Sequence, residues 1–227
     1  MLLSVVIPVY NERKTIGEVV RRIEALDQDK EIIIADDCST DGTRDLLKSY
    51  EKLDGFKIIY LPRNKGKGSA VRAAFERVEG EIIVIQDADL EYDPKDIPLI
   101  LEPIIDGRAD VVYGSRVARG THSALFFLAF VANRLLTILN NILHDLNLKD
   151  METGYKAFRK TVLDSLTFKC DCFGWDVEFT GKVARKKFRI FEVPISYSGR
   201  DYSEGKKINW KDGVAAIWFI FRFRFFD

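Results

Sequence analysis

A chain of 227 residues, 47% hydrophobic and 31% charged, is long enough to bury a sizeable core and points to one α/β domain with a short appended element. Its 35 basic and 35 acidic residues cancel, which excludes a general nucleic-acid binder. Three cysteines without repeated spacing, Cys38, Cys170 and Cys172, indicate neither a disulfide framework nor a zinc site and fit a reducing cytosol.

The N-terminal MLLSVVIPVY lacks the basic region and small-residue cleavage site of a signal peptide and reads as a first strand. No run reaches the roughly 18–20 apolar residues that span a bilayer. Through residue 115 two periods alternate. Strand-length apolar runs at 2–9, 31–35, 56–61, 81–85 and 110–113 are separated by helix-like stretches at 15–26, 43–50, 69–78 and 96–105. Near-continuous Ile/Val runs suit strands covered on both faces, and the alternation implies right-handed crossovers and a mostly parallel sheet. Ligands of such sheets bind beyond the carboxyl ends of the strands. The five exits PVYNE, ADDCSTDGT, PRNKGKG, QDADLE and GSR therefore share one edge, which favours a common ligand site over five unrelated polar turns.

Residues 122–146 form one long amphipathic segment, with Leu125, Leu128, Ala132, Leu135, Leu139, Ile142 and Leu146 spaced at three and four. The default for such a stripe is core; its Phe-rich start, ALFFLAFVA, equally suits exposure to lipid or a partner. A helical pattern at 176–187 and a strand at 189–197 follow. Then come a basic loop, SGRDYSEGKKINW, and a terminal amphipathic stretch, DGVAAIWFIFRFRFF. Residues 182–227 hold eleven Lys/Arg against five Asp/Glu, a surface suited to phosphates or an anionic leaflet.

The exit QDADLE raises a question of charge. If strand geometry persists, Asp87, Asp89 and Glu91 lie on one side and repel each other unless a cation sits among them. Mg²⁺ or Mn²⁺ bound through one or two carboxylates plus substrate phosphates would answer it, although a lone D-x-D is usually a turn.

Taken together, PVYNE after SVVI, DDCSTDGT, DAD and GSR resemble the family-2 glycosyltransferases. That resemblance implies the GT-A fold, a Rossmann-like, mostly parallel α/β sheet flanked by helices, here with amphipathic interfacial helices. DMETGYKAFRK, FGWDVEFT, EVPISY and GR…EGKKI-W-DG extend it through nearly the whole chain, toward the polyprenyl-phosphate glycosyltransferases, the group that includes dolichyl-phosphate mannose synthase. It implies a catalytic domain over 1–199, then a phosphate-binding loop and a membrane-associating helix over 200–227. The implied donor is a nucleotide diphosphate sugar and the acceptor polyprenyl phosphate. The implied location is the cytosolic membrane face, held peripherally or by a membrane partner protein.

By the same resemblance, Pro8, Tyr10 and Glu12 frame the base and ribose and Asp37 reads the base edge. Asp87 and Asp89 hold the metal, Asp89 as a catalytic residue, with Ala88 between them in the donor site. Glu91, where mannose synthases often carry Gln, is the third metal candidate. Arg116 pairs with a phosphate, and Arg200, Lys206 and Lys207 close over the diphosphate. Asp150 orients the acceptor or accepts a remaining proton, with a helix cap or structural carboxylate as the alternative. Lys156 and Arg159 approach the acceptor phosphate or alternate outward from a short strand. PRNKGKG is a turn near the nucleotide, with Lys67 unassigned. A phosphate monoester acceptor already carries close to two negative charges, so no strong base is required, and one in-line displacement inverts the anomeric centre.

A polysaccharide acceptor is the alternative, against which the absence of a Q-x-x-R-W element counts; an inactive scaffold subunit is another. Many family members continue into transmembrane helices where this sequence stops at Asp227. A peripheral enzyme, recruitment by a membrane partner and a shortened chain stay open, as does packing of the terminal Phe cluster into a homo-oligomer. Donor base, sugar and polyprenyl type are also open.

Overall fold

The Ile/Val runs become the strands of a single sheet in the computed structural model, which describes residues 1–117, 127–172, 174–199 and 210–226. The strands are β1 (Leu3–Val9), β2 (Lys30–Asp36), β3 (Phe56–Tyr60), β4 (Ile82–Ile85), β5 (Val111–Ser115), β6 (Lys156–Arg159) and β7 (Ile190–Pro194), in the order β3-β2-β1-β4-β6-β5-β7. Among the described residues the helices are α1 (Ile16–Glu24), α2 (Thr43–Leu47), α3 (Lys67–Phe75), α4 (Ile97–Ile105), α5 (Phe127–His144), α6 (Lys160–Asp164), α7 (Trp175–Arg185) and α8 (Trp210–Phe225).

Alternation along β1 divides the core in two. Leu3, Val5 and Ile7 join Ile16, Val20, Leu47, Ile97 and Leu101 of α1, α2 and α4 on one face. Val6 joins Ala70, Val162, Trp175, Phe179, Ile220 and Phe223 of α3, α6, α7 and α8 on the other. The result is a three-layer GT-A-like α/β fold. The five expected strands and four expected helices of the first half fall on β1–β5 and α1–α4. β6 is the addition: it pairs antiparallel with both β4 and β5, whose chains run parallel to the rest.

The 122–146 stripe meets its core expectation only in part: Leu139 and Leu146 pack against the core. Residues 122–126 lie outside the described residues. Of the remainder, Leu135 is 62% and Ile142 74% exposed, whereas Thr137, Asn140 and His144 are buried. Spacing defines a stripe but not the direction it faces. Thr137 and Asn141 turn toward the backbone after α5, whose N–H and C=O groups need partners. Thr137 Oγ1 accepts from Met151 N (3.3 Å), and Asn141 both donates to Leu148 O (2.8 Å) and accepts from Leu148 N (3.1 Å). α8 packs against α5 and α7 through Ala216, Ile220 and Phe223 and leaves Ile217, Trp218, Phe221 and Phe225 exposed. No helix among the described residues is long and apolar enough to cross a membrane.

Candidate active site

The sheet order reverses at β1. From it the chain steps outward to β2 and β3, then returns to β4 on its other side. The crevice between the exits of β1 and β4 is thus where the crossovers diverge, the usual ligand position in open α/β sheets. Asn11 ties the first exit to the second: its Oδ1 accepts from Thr40 N at 2.8 Å, and its N donates to Ser39 Oγ at 2.8 Å. Pro8 is buried within β1 opposite Ala35, Tyr10 is half-buried just beyond, and Glu12 Oε2 accepts from Thr15 Oγ1 at 3.0 Å.

Asp37 is buried at the β2 exit and accepts from Lys65 N (2.9 Å) and Gly66 N (2.6 Å), fastening the PRNKGKG turn. Burial pushes its carboxyl up, although the two N–H groups oppose this. Gly66 then starts α3 with φ +104°, a left-handed value that favours glycine. A Cβ there would sit 2.8 Å from Asp171 O, and one on Gly68 would run into Cys170 O. The two glycines let the start of α3 lie against residues 170–172 and carry Lys67 to the β4 exit.

At that exit the ladder continues one step, with Gln86 N donating to Val6 O at 2.9 Å, and the chain then turns. The strand period does not persist, so the three acids do not line one side as expected. Asp87 Oδ1 lies 2.8 Å from Lys67 Nζ, Asp89 Oδ1 accepts from Glu91 N at 3.1 Å, and Glu91 Oε2 accepts from Tyr197 Oη at 3.0 Å; Ala88 between the aspartates is buried. An antiparallel bridge between Tyr92 and Tyr197, and Ser198 N donating to Glu91 O at 2.9 Å, bind residues 197–198 to this exit. Burial works to lower the Lys67 ammonium, but Asp87 and then Asp176, at 3.9 Å, outweigh it and hold the group above the ordinary lysine range.

β6 brings a second chain segment to the same edge from the opposite direction. Asp150, buried before it, accepts two bonds from the Arg116 guanidinium at 2.6 and 2.7 Å, one from Arg116 N at 3.2 Å and one from Asn133 Nδ2 at 3.0 Å. Burial works to raise this carboxyl, and the Arg116 charge and hydrogen bonds more than offset it, leaving it below the usual range. A carboxylate so held is a poor proton acceptor. Arg116 also lies over the Tyr197 ring, 5.2 Å from its centroid.

Lys156, expected either to approach the acceptor phosphate or to alternate outward from a short strand, is instead fully buried. Its ammonium donates to Asp176 Oδ1 (2.5 Å) and Thr153 O, beneath the Tyr113 and Trp175 rings. Arg159 sits at the far end of β6 and donates to Ile104 O, away from the exits. Arg200, Lys206 and Lys207 lie outside the described residues. Sequence reasoning missed four residues that the fold adds: Lys67, Glu152, Asp176 and Tyr197. Glu152 is pushed up to about 7 by burial and then by Asp176, and its Oε1 has no partner among the described residues. The glycines around Lys67 and the Asp in FGWDVEFT were the available signals.

Carboxylate oxygens at the β4 exit suit a hard divalent cation, yet no three His, Cys, Asp or Glu side chains converge among the described residues. Such a donor set fits a cation held jointly with substrate phosphates.

Residues 4–167 match the profile of glycosyl transferase family 2. The chain is 29% identical over 211 residues to a dolichol-phosphate mannosyltransferase from Pyrococcus furiosus, covering 91% of this chain and 59% of that one. It is also 29% identical over 211 residues to an undecaprenyl-phosphate 4-deoxy-4-formamido-L-arabinose transferase from Aeromonas hydrophila, covering 90% and 62%. A hexosyltransferase of low-salt glycan biosynthesis from Haloferax volcanii, Agl6, is 30% identical over 229 residues, covering 96% of this chain and 52% of that one. The chain thus spans between about half and two thirds of the length of these curated relatives. In fold it resembles glucosyl-3-phosphoglycerate synthase from Mycobacterium tuberculosis in complex with Mn²⁺, UDP and phosphoglyceric acid, with a TM-score of 0.76 at 20% identity over 99% of this chain and 79% of that one. A family profile matched from β1 to α6, on a GT-A-like sheet with its polar exits gathered at one edge, makes this chain a member of glycosyl transferase family 2.

Proposed function

We propose that this protein transfers a hexose from a nucleotide diphosphate sugar, of the UDP-glucose or GDP-mannose type, to a polyprenyl phosphate at the cytosolic face of a membrane, with inversion. The observation that carries the reading is the meeting at one edge of an acidic exit, Asp87 to Glu91, with two cations, Lys67 and Arg116. The names of the Pyrococcus and Aeromonas relatives support the acceptor class, and the outward apolar faces of α5 and α8 support a lipid surface.

In this reading Pro8, Tyr10, Glu12 and Asp37 surround the nucleoside, and Asp87 and Asp89 would hold Mg²⁺ or Mn²⁺ jointly with the donor diphosphate, while Glu91 is engaged by Tyr197. When bound, that cation supplies positive charge to the diphosphate. An oxygen of the acceptor phosphate forms the new bond to the anomeric carbon while the bond to the donor diphosphate breaks, its electron pair leaving with the nucleoside diphosphate. Arg116 faces the phosphates and Asp150 keeps its fork in one orientation, so the residues contribute placement and charge rather than proton transfer. Arg200 and Lys206 add positive charge toward the diphosphate.

Labelled UDP-glucose, UDP-galactose, UDP-GlcNAc and GDP-mannose incubated with undecaprenyl or dolichyl phosphate test this directly. The expected result is label in the lipid phase that EDTA removes and Asp89→Ala abolishes. Nucleotide binding without lipid labelling from any donor would overturn the acceptor assignment and leave the donor site standing.

A further inference from the structure

Lys67 is an ammonium built into an acidic exit. Gly66 and Gly68 lie too close to the 170–172 backbone for side chains, and Ser69 N donates to Asp171 O at 3.0 Å, so the start of α3 is fixed beside β4. From there Nζ reaches Asp87 Oδ1 at 2.8 Å and Asp176 Oδ2 at 3.9 Å. Lys156 occupies the other oxygen of Asp176. Asp87, Asp89, Glu91 and Asp176 against Lys67 and Lys156 leave two negative charges; without Lys67 there would be three. A divalent cation approaching the nucleotide-free protein meets an exit already partly neutralised from within.

We propose that Lys67 is a positioning residue that competes with the divalent cation for Asp87, so that the protein holds this cation tightly only together with a nucleotide diphosphate. The inference rests on the donor-site reading above and adds the order in which charge enters the site. The negative charge of the diphosphate restores attraction for a second cation, and Lys67 and the metal then coexist. If Lys67 were only a brace for α3, its removal would lower stability and leave metal affinity unchanged or weaker.

Mn²⁺ binding is followed by electron paramagnetic resonance, with and without UDP or GDP and corrected for Mn²⁺ held by free nucleotide, with thermal melts alongside. The wild type is expected to bind Mn²⁺ at least about tenfold more tightly with nucleotide than without, the scale on which one neighbouring charge shifts an ionic equilibrium. Lys67→Met and Lys67→Gln are expected to bind Mn²⁺ about tenfold more tightly than wild type without nucleotide and to lose most of the nucleotide dependence. Lys67→Arg should behave as wild type. A folded neutral variant that binds Mn²⁺ no more tightly than wild type overturns the proposal, as does a wild type indifferent to nucleotide; the latter comparison decides alone if neither neutral variant folds. Failure of both UDP and GDP to bind at any Mn²⁺ concentration is a separate result that removes the donor-site reading beneath it.

Discussion

Gly154 shows how little room the acidic exit has. A Cβ at this position would run into Asp87 Oδ2 and come within 3.1 Å of Lys67 Nζ. Gly154→Ala is therefore expected to lower transfer at least about tenfold by displacing the Asp87–Lys67 pair, a change on the scale of 1.4 kcal/mol in the barrier; initial rates with saturating acceptor measure it. Glu152 gives a prediction in pH. Its folded carboxyl is raised from 4.5 to about 7, so the stability it contributes is fully present below pH 4.5 and is lost as pH rises through about 7. That gap is worth about 3 kcal/mol at most. Glu152→Gln should flatten this part of the profile, and denaturant midpoints at pH 5 and pH 8 would reveal it; an unchanged difference between the two proteins at both values would sink the idea. Asp150→Ala leaves the Arg116 charge without its partner and should cost about 3–5 kcal/mol in denaturant unfolding. The double variant Asp150→Leu with Arg116→Met is expected to recover most of that stability while transfer stays lost. Asp87, Asp89 and Arg116 were legible because each follows a buried strand. Lys67, Glu152 and Asp176 were not, because nothing local marks them as neighbours; the topology alone joins them.

At the scale of elements, β1 to β5 could be read because Ile and Val runs covered on both faces leave a continuous apolar signal. β6 could not be placed: four residues with a cation at each end, KAFR, carry no period, and the strand exists because β4 and β5 leave a gap that its backbone fills. α5 was legible as a helix but not in its orientation. Its outward Leu135, Ile138 and Ile142, with Trp218 and Phe225 of α8, make apolar surface left exposed among the described residues. Leu135→Glu with Ile142→Glu should alter stability by no more than about 0.5 kcal/mol per site, as exposed positions do. The same pair should markedly weaken co-sedimentation with lipid vesicles; unchanged sedimentation would remove α5 from the membrane-facing surface.

Over the whole molecule, zero net charge conceals an acidic majority and a basic end. If that end meets an anionic leaflet, vesicle binding should fall steeply as salt is raised from about 0.05 to 0.5 M, since exposed charges are screened over roughly 8 Å at physiological ionic strength. Apolar insertion by Trp218 and Phe225 would leave a residue of binding that salt does not remove.

The reversed direction of β6 also limits how this chain can drift. Lys156 is registered opposite both Ile85 and Tyr113, and side chains alternate faces at every step of a strand. One residue inserted or deleted between Asp150 and Lys156 would turn Lys156 out of the interior and drive a neighbour into its place. Met151, Thr153, Gly154 and Tyr155 are buried along the way, so the length of this connection is as constrained as that of a core strand.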